Sequence, residues 1–213
     1  MDSFDDQEWR TLFSEGNAYL HAGVYLLAVD YYNICLAQRP NDISALNNKG
    51  YALHQLGRYN ESLLLFESCL ASQPNFTEAL NNKGLALEAL GRYDEAVQAY
   101  EACLAVDQGH KAARANLGQV LIDTERYQEA LAWHRRWTES DYMAYTADDT
   151  KSLRHASLTQ QAMALLGLAQ FQEAVDVFDR CLSLEPNALG NKAVALNAWG
   201  HYEDALACLE TCL

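Results

Sequence analysis

Asn47-Asn48-Lys49-Gly50 returns as Asn81-Asn82-Lys83-Gly84, and Leu56-Gly57-Arg58-Tyr59 returns as Leu90-Gly91-Arg92-Tyr93. Both pairs are offset by 34 residues, as are Cys35, Cys69 and Cys103. Unrelated motifs that share one period mark stacked structural units of that length. In the unit around the first motif, Leu46, Gly50 and Leu53 recur at the three-to-four spacing of one helix face. Gly57 stops that helix, because glycine accepts the left-handed conformation of a helix C-terminus. Tyr59 opens a second apolar stripe, continued by Ser62, Phe66, Cys69 and Leu70, and Pro74 closes the unit. Working outward gives six helix-turn-helix units, at about 9–42, 43–76, 77–110, 111–144, 155–188 and 186–213, with an insertion at 145–154.

Three columns run through all six. A small residue in the first helix is Gly16, Gly50, Gly84, Gly118, Ala162 and Ala193; it lets the paired helices approach closely. The turn aromatic is Tyr25, Tyr59, Tyr93, Tyr127, Phe171 and Tyr202. The small residue after it is Ala28, Ser62, Ala96, Ala130, Ala174 and Ala205. The period and these columns resemble the tetratricopeptide repeat (TPR) family over nearly the whole chain. The resemblance implies an all-α fold, a right-handed α-solenoid of about six TPR units forming a single array over 1–213.

Other classes fit poorly. The net charge of −14 repels phosphate backbones, so no nucleic-acid partner is expected. No apolar run reaches the length of a membrane helix, and the acidic N-terminus lacks a secretory pattern. A cytoplasmic, soluble protein is expected. There is no Gly-rich phosphate loop, HExxH or CxxC, and the six histidines have no catalytic partner at motif spacing. The chain therefore reads as no enzyme, with no cofactor and no metal. Cys35, Cys69, Cys103, Cys181 and Cys212 share one column and are expected as reduced, buried packing residues. Lys49, Lys83 and Lys192 share another, with stems expected to pack between helices and ammonium groups to reach water.

Some units depart from the pattern. In the fourth, Arg114 replaces an apolar residue, Glu125 the turn glycine, and His134 an aromatic. The stretch from Trp133 through Trp137, Tyr142 and Tyr145 is aromatic and basic; it reads either as a packed insertion or as a secondary contact site. Cys181 to Cys212 spans 31 residues rather than 34, which is read as a connecting loop shortened by three. The sequence stops at Leu213 without a polar cap helix, as in a fragment of a longer protein or an end covered by another surface. Leu206, Leu209 and Leu213 would then form an apolar stripe for self-association.

In TPR proteins the first helices line a concave groove. By that resemblance the candidate peptide-binding residues are Asn17, Asn47, Asn48, Tyr51, Asn81, Asn82, Asn116, Gln119, Gln160 and Asn191. An amide both donates and accepts. Amides repeated along a groove match the alternating N–H and C=O groups of an extended peptide, and some TPR relatives use an asparagine ladder in this way. The expected function is a protein-interaction scaffold. The alternatives are a self-association module or the regulatory region of a larger protein. TPR adaptors of the Hsp70/Hsp90 type instead grip a C-terminal carboxylate with inward Lys and Arg. Here Asn17 and Asn48 are available for that clamp, but Phe13, Glu78 and Asn82 stand where its cations belong.

Overall fold

A computed structural model describes residues 6–136, 147–184 and 188–211, with side chains from 151 in the second of these segments. Twelve helices lie in these residues: α1 Asp6–His21, α2 Tyr25–Gln38, α3 Ile43–Gln55, α4 Tyr59–Ser72, α5 Thr77–Ala89, α6 Tyr93–Val106, α7 Lys111–Asp123, α8 Tyr127–Arg135, α9 Ala147–Gly167, α10 Phe171–Leu182, α11 Leu189–Trp199 and α12 Tyr202–Glu210. They form consecutive helix pairs. The chain divides into two compact units, Met1–Ala113 and Arg114–Leu213.

The turn within each pair is built from backbone bonds that the sequence pattern dictates. Gly57 sits at φ +74°, so its N–H reaches the carbonyl of His54 and the next N–H, on Arg58, reaches that of Leu53, each at 2.9 Å. Gly91 and Arg92 repeat this. These bonds satisfy carbonyls that the helix end would otherwise strand. The arginine after the glycine then forks onto a glutamate three residues on, as in Arg58–Glu61 and Arg92–Glu95, with both bonds of each pair at 2.7 Å. Such exposed pairs contribute little stability.

Within the first unit, each pair closes on the small residue of its first helix. A methyl group built on Gly50 would stand 2.6 Å from the Phe66 ring, and one on Gly84 2.4 Å from the Tyr100 ring. Only a residue without a side chain lets α3 meet α4, and α5 meet α6, at this distance. The following first helix completes the core. Ala45, Ala52 and Leu53 of α3 join Trp9, Ala28, Val29, Tyr32 and Cys35 of the preceding pair in one buried cluster. Ala79 of α5 does the same over Leu46 and Cys69. The cysteine column is an interior column: Cys35, Cys69, Cys103 and Cys181 are free thiols with no exposure. Burial pushes Cys69 and Cys103 up to about 11, which keeps them protonated and unreactive at neutral pH. Cys212 lies outside the described residues, and Cys208 is half-buried.

The second unit follows the same plan with three differences. Its first turn has Glu125 at φ +58° where glycine is expected, yet the bonds persist: Glu125 N–H to Ile122 and Arg126 N–H to Leu121, at 2.9 and 2.8 Å. Ala169 repeats this at φ +56°. Secondly, α9 begins at Ala147, so most of the stretch expected as an insertion before the fifth unit belongs to that unit's first helix. The period taken from the Ala162 column hid this lengthening. Thirdly, at the shortened fifth-to-sixth step α10 and α11 have 12 and 11 residues, against 14 and 13 in α4 and α5; the connection expected to be shorter lies partly outside the described residues, at 185–187.

Candidate functional site

The asparagines of the first unit lie on α1, α3 and α5, which sit side by side. Their side chains form one hydrogen-bonded chain. Asn81 Nδ2 donates to Asn82 Oδ1 at 3.5 Å, and Asn82 Nδ2 donates to Asn47 Oδ1 at 3.0 Å. Asn47 Nδ2 donates to Asn48 Oδ1 at 3.3 Å, and Asn48 Nδ2 donates to Asn17 Oδ1 at 2.9 Å. The Tyr32 hydroxyl donates to the same Asn17 oxygen at 2.7 Å. Burial pushes the Tyr32 phenol up to about 12, so it remains a donor. Every amide in the chain therefore points the same way, anchored at one end by tyrosine.

The two asparagine columns are not equivalent. Asn47 and Asn81 are buried, and Asn47 ties α3 to α5 by accepting from Asn82. Asn17, Asn48 and Asn82 are half-buried, with Tyr51 beside them on α3 also half-buried. The sequence shows two adjacent amides in two of the repeats but not this difference in burial, nor the anchoring Tyr32. The only trace of Tyr32 is that its column alternates Tyr32, Phe66 and Tyr100. In that column Tyr100 donates to the Glu88 carboxylate at 2.9 Å.

In the second unit, Gln160 is buried and donates to the Ala115 carbonyl at 3.1 Å and to Gln119 Oε1 at 3.4 Å. Gln119 in turn donates to Asp123 at 2.7 Å. Asn116 is half-buried and partnered, and Asn191 is exposed. Phe13 stacks on Trp9 at 5.0 Å and packs near Tyr32, an apolar role at a position where a clamp would need a cation. Lys83 pairs with Glu67 at 3.5 Å and Lys192 with Asp179, so these two lysines tie each first helix to the preceding second helix. Burial, with the Arg58 charge, lowers Lys49.

The irregular fourth pair has a polar interior. His134 is buried, with Nδ1 3.1 Å from the Ser157 hydroxyl and Nε2 without a hydrogen-bond partner. Burial, and then the Arg114 charge, push it down to about 4. Arg114, Trp133, Leu153, Ser157 and Gln160 line a small cavity beside it. His134 is thus an interior residue of this pair; Trp137, Tyr142 and Tyr145 lie outside the described residues. Leu206 and Leu209 are exposed on α12, and Leu213 lies outside the described residues. Among the described residues no three His, Cys, Asp or Glu side chains converge as metal ligands would, and no helix is long and apolar enough to cross a membrane.

Helix pairs of this construction, closed by a small residue against an aromatic and repeated every 34 residues, define a helical-repeat protein. Tetratricopeptide repeat models match residues 13–75, 47–108, 81–144 and 155–188, and the chain belongs to the tetratricopeptide repeat family. No curated protein matches it. Among solved structures it is similar to a tetratricopeptide repeat protein from Parabacteroides merdae, at 17% identity and TM-score 0.77, covering 96% of this chain and 78% of that one. It is also similar to YrrB, described as a TPR protein with an unusual peptide-binding site, at 19% identity and TM-score 0.62, covering 84% and 89%. The first TPR of Spaghetti (RPAP3), bound to an HSP90 peptide, matches at 24% identity and TM-score 0.53, covering 56% of this chain and 95% of that one. These likenesses show the fold.

Proposed function

We propose that this protein is an interaction scaffold whose first unit holds an extended segment of a partner protein by its main chain. The observation that carries this reading is the one-directional amide chain Asn81–Asn82–Asn47–Asn48–Asn17. Each carboxamide has two N–H groups and two acceptor lone pairs. A link in the chain uses one N–H and one lone pair, so the half-buried Asn48 and Asn82 keep a donor and an acceptor for a peptide. Because neighbouring amides already hold these side chains, binding costs less side-chain ordering than free asparagines would.

The RPAP3 neighbour binds an HSP90 peptide, but this chain lacks the cations of a carboxylate clamp: Phe13 is packed in an aromatic stack and Asn82 is part of the amide chain. Charge-assisted bonds to a carboxylate contribute roughly 1.5–3 kcal/mol each. A C-terminal acidic tail therefore finds little here, whereas an internal segment loses nothing.

The test places a photo-crosslinking amino acid at Tyr51 and locates the captured segment by mass spectrometry. An internal segment is expected, with capture reduced about tenfold by Asn48→Ala or Asn82→Ala, since each loses bonds of about 0.5–1.5 kcal/mol. Thermal melts of both variants separate this loss from unfolding. Tight binding of an acidic C-terminal peptide that disappears on amidation would restore the clamp and overturn the reading.

A further inference from the structure

The second helix of the first pair departs from its neighbours on its outer side. Among the 14 residues of α2 the one charge is Asp30, whereas α4 carries Glu61 and Glu67 and α6 carries Asp94, Glu95 and Glu101. Val24 and Leu27 stand in the columns of the Arg58–Glu61 and Arg92–Glu95 pairs, so apolar side chains replace the forked ion pair. Leu26 stands where the next two repeats have Asn60 and Asp94, and Ile34 where they have Ser68 and Ala102. Val24, Leu26, Leu27 and Ile34 are 42%, 64%, 42% and 44% exposed. Helical spacing puts Leu26, Leu27 and Ile34 on one face with Asp30 between them, opposite the buried Tyr32. A helix that is apolar all round is ordinarily covered all round.

The charges at this face indicate what covers it. Lys83 on α5 reaches Glu67 on α4 at 3.5 Å, and Lys192 on α11 reaches Asp179 on α10. Lys49 holds the same place on α3, which packs on α2, but Asn33 stands in the column of Glu67. Among the described residues no carboxylate lies within ion-pair distance of Lys49, and no cation within that distance of Asp30. Burial, and then the Arg58 charge, lower Lys49, so an added carboxylate would favour its charged form. Asn33 is one turn from Asp30, so an unpaired acid and an unpaired base border the same apolar face.

A partner bearing only acids would satisfy Lys49 and repel Asp30, and one bearing only bases would do the reverse. A second copy satisfies both, because a two-fold interface sets one residue against another and the second against the first. The chain has a net charge of −14, and the acids on α4 and α6 would oppose their own copies. Within the first unit, α2 is the second helix on which two copies meet without that repulsion.

We infer that two copies of this chain pair through the outer face of α2 about a two-fold axis, with Leu26, Leu27 and Ile34 at the centre and Asp30 of each copy set against Lys49 of the other. This surface lies apart from the amide chain and does not depend on it.

The test is sedimentation equilibrium of the full chain over a concentration series. A reversible dimer is expected, since one helix face makes a small interface. Ile34→Glu should weaken dimerisation at least about tenfold, because it places an unpaired charge in the contact, while circular dichroism stays unchanged. Asp30→Lys and Lys49→Glu should each weaken it alone. An equal mixture of those two variants should recover a heterodimer as tight as the original, since both cross-pairs are then opposite in sign. No recovery in the mixture, with both variants folded, would overturn the charge pairing. A monomer at every concentration, or a dimer that persists in Ile34→Glu, would overturn the site. A dimer dissolved by Leu206→Glu instead would overturn it too and place self-association on α12.

Discussion

Glu125 shows what one residue can conceal from a sequence reading. Its backbone adopts the left-handed conformation of Gly57 and Gly91, because the turn's hydrogen bonds require it whatever the side chain. A side chain in that conformation costs about 1–2 kcal/mol, partly offset by the smaller entropy of its unfolded state. Glu125→Gly should therefore stabilise the protein by about 0.5–1 kcal/mol, and Gly57→Ala should destabilise it similarly. Nothing lies within 4 Å of a methyl group added at Gly57, so that loss would be purely conformational. Urea denaturation of both variants checks the pair; equal signs would refute the account. His134 offers a second test. Its folded pKa of about 4 lies below the ordinary 6.5, so the unfolded chain binds the proton more readily. Stability is thus intact above pH 6.5 and falls as pH drops from 6.5 toward 4. Burial also lowers His54, so part of this acid sensitivity belongs to the first unit. His134→Phe restores the aromatic of its column and should flatten the pH 4–6.5 slope by the second unit's share; an unchanged slope would show that His134 is already solvated.

At the scale of the element, the sequence was most legible where repetition and packing coincide. Gly50 and Gly84 were readable as close-approach positions because their columns recur, and the rings of Phe66 and Tyr100 fill the space a side chain would need. The amide columns were readable as polar positions of the first helices. Their bonding was not, because the links Asn47–Asn82 and Asn17–Asn48 run between different columns, 35 and 31 residues apart. The early start of α9 and the shortened α10 and α11 escaped because column spacing records registers, not helix ends. The cysteine column gives an element-scale prediction. Cys69 is fully buried in the seam with Leu46 and Ala79, against Leu36, Ile43, Leu65, Leu70 and Phe76. Cys69→Leu should overpack that seam and cost about 1–3 kcal/mol, with Cys69→Ala milder. Thermal melts that rank the two variants the other way would mean the seam has room to spare.

For the whole molecule, the division into two compact units carries a stability consequence. In a repeat protein stability is close to a sum of unit and neighbour terms, so regions that differ in those terms open at different free energies. The first unit has glycine at its left-handed turns, an aromatic on every close-approach glycine, and the amide chain tying α1, α3 and α5. The second has Glu125 and Ala169 in left-handed turns, which together cost about 2–4 kcal/mol before any offset. It also buries His134, with one ring nitrogen unpartnered, beside Arg114 where the first unit has leucine. The first unit has its own unpartnered buried groups, His54 Nδ1 and the Ser62 hydroxyl, but no strained turn and no buried arginine in its leucine column, so the balance of these terms lowers the second unit relative to the first. Amide hydrogen exchange at neutral pH should accordingly show α8 to α10 exchanging on the order of a hundredfold faster than α3 to α5, a factor equivalent to about 2.7 kcal/mol. Combining Glu125→Gly with His134→Phe should narrow the gap without changing α3 to α5. Equal protection across both sets of helices would mean that the chain opens as one cooperative body and that these local costs are shared along the array.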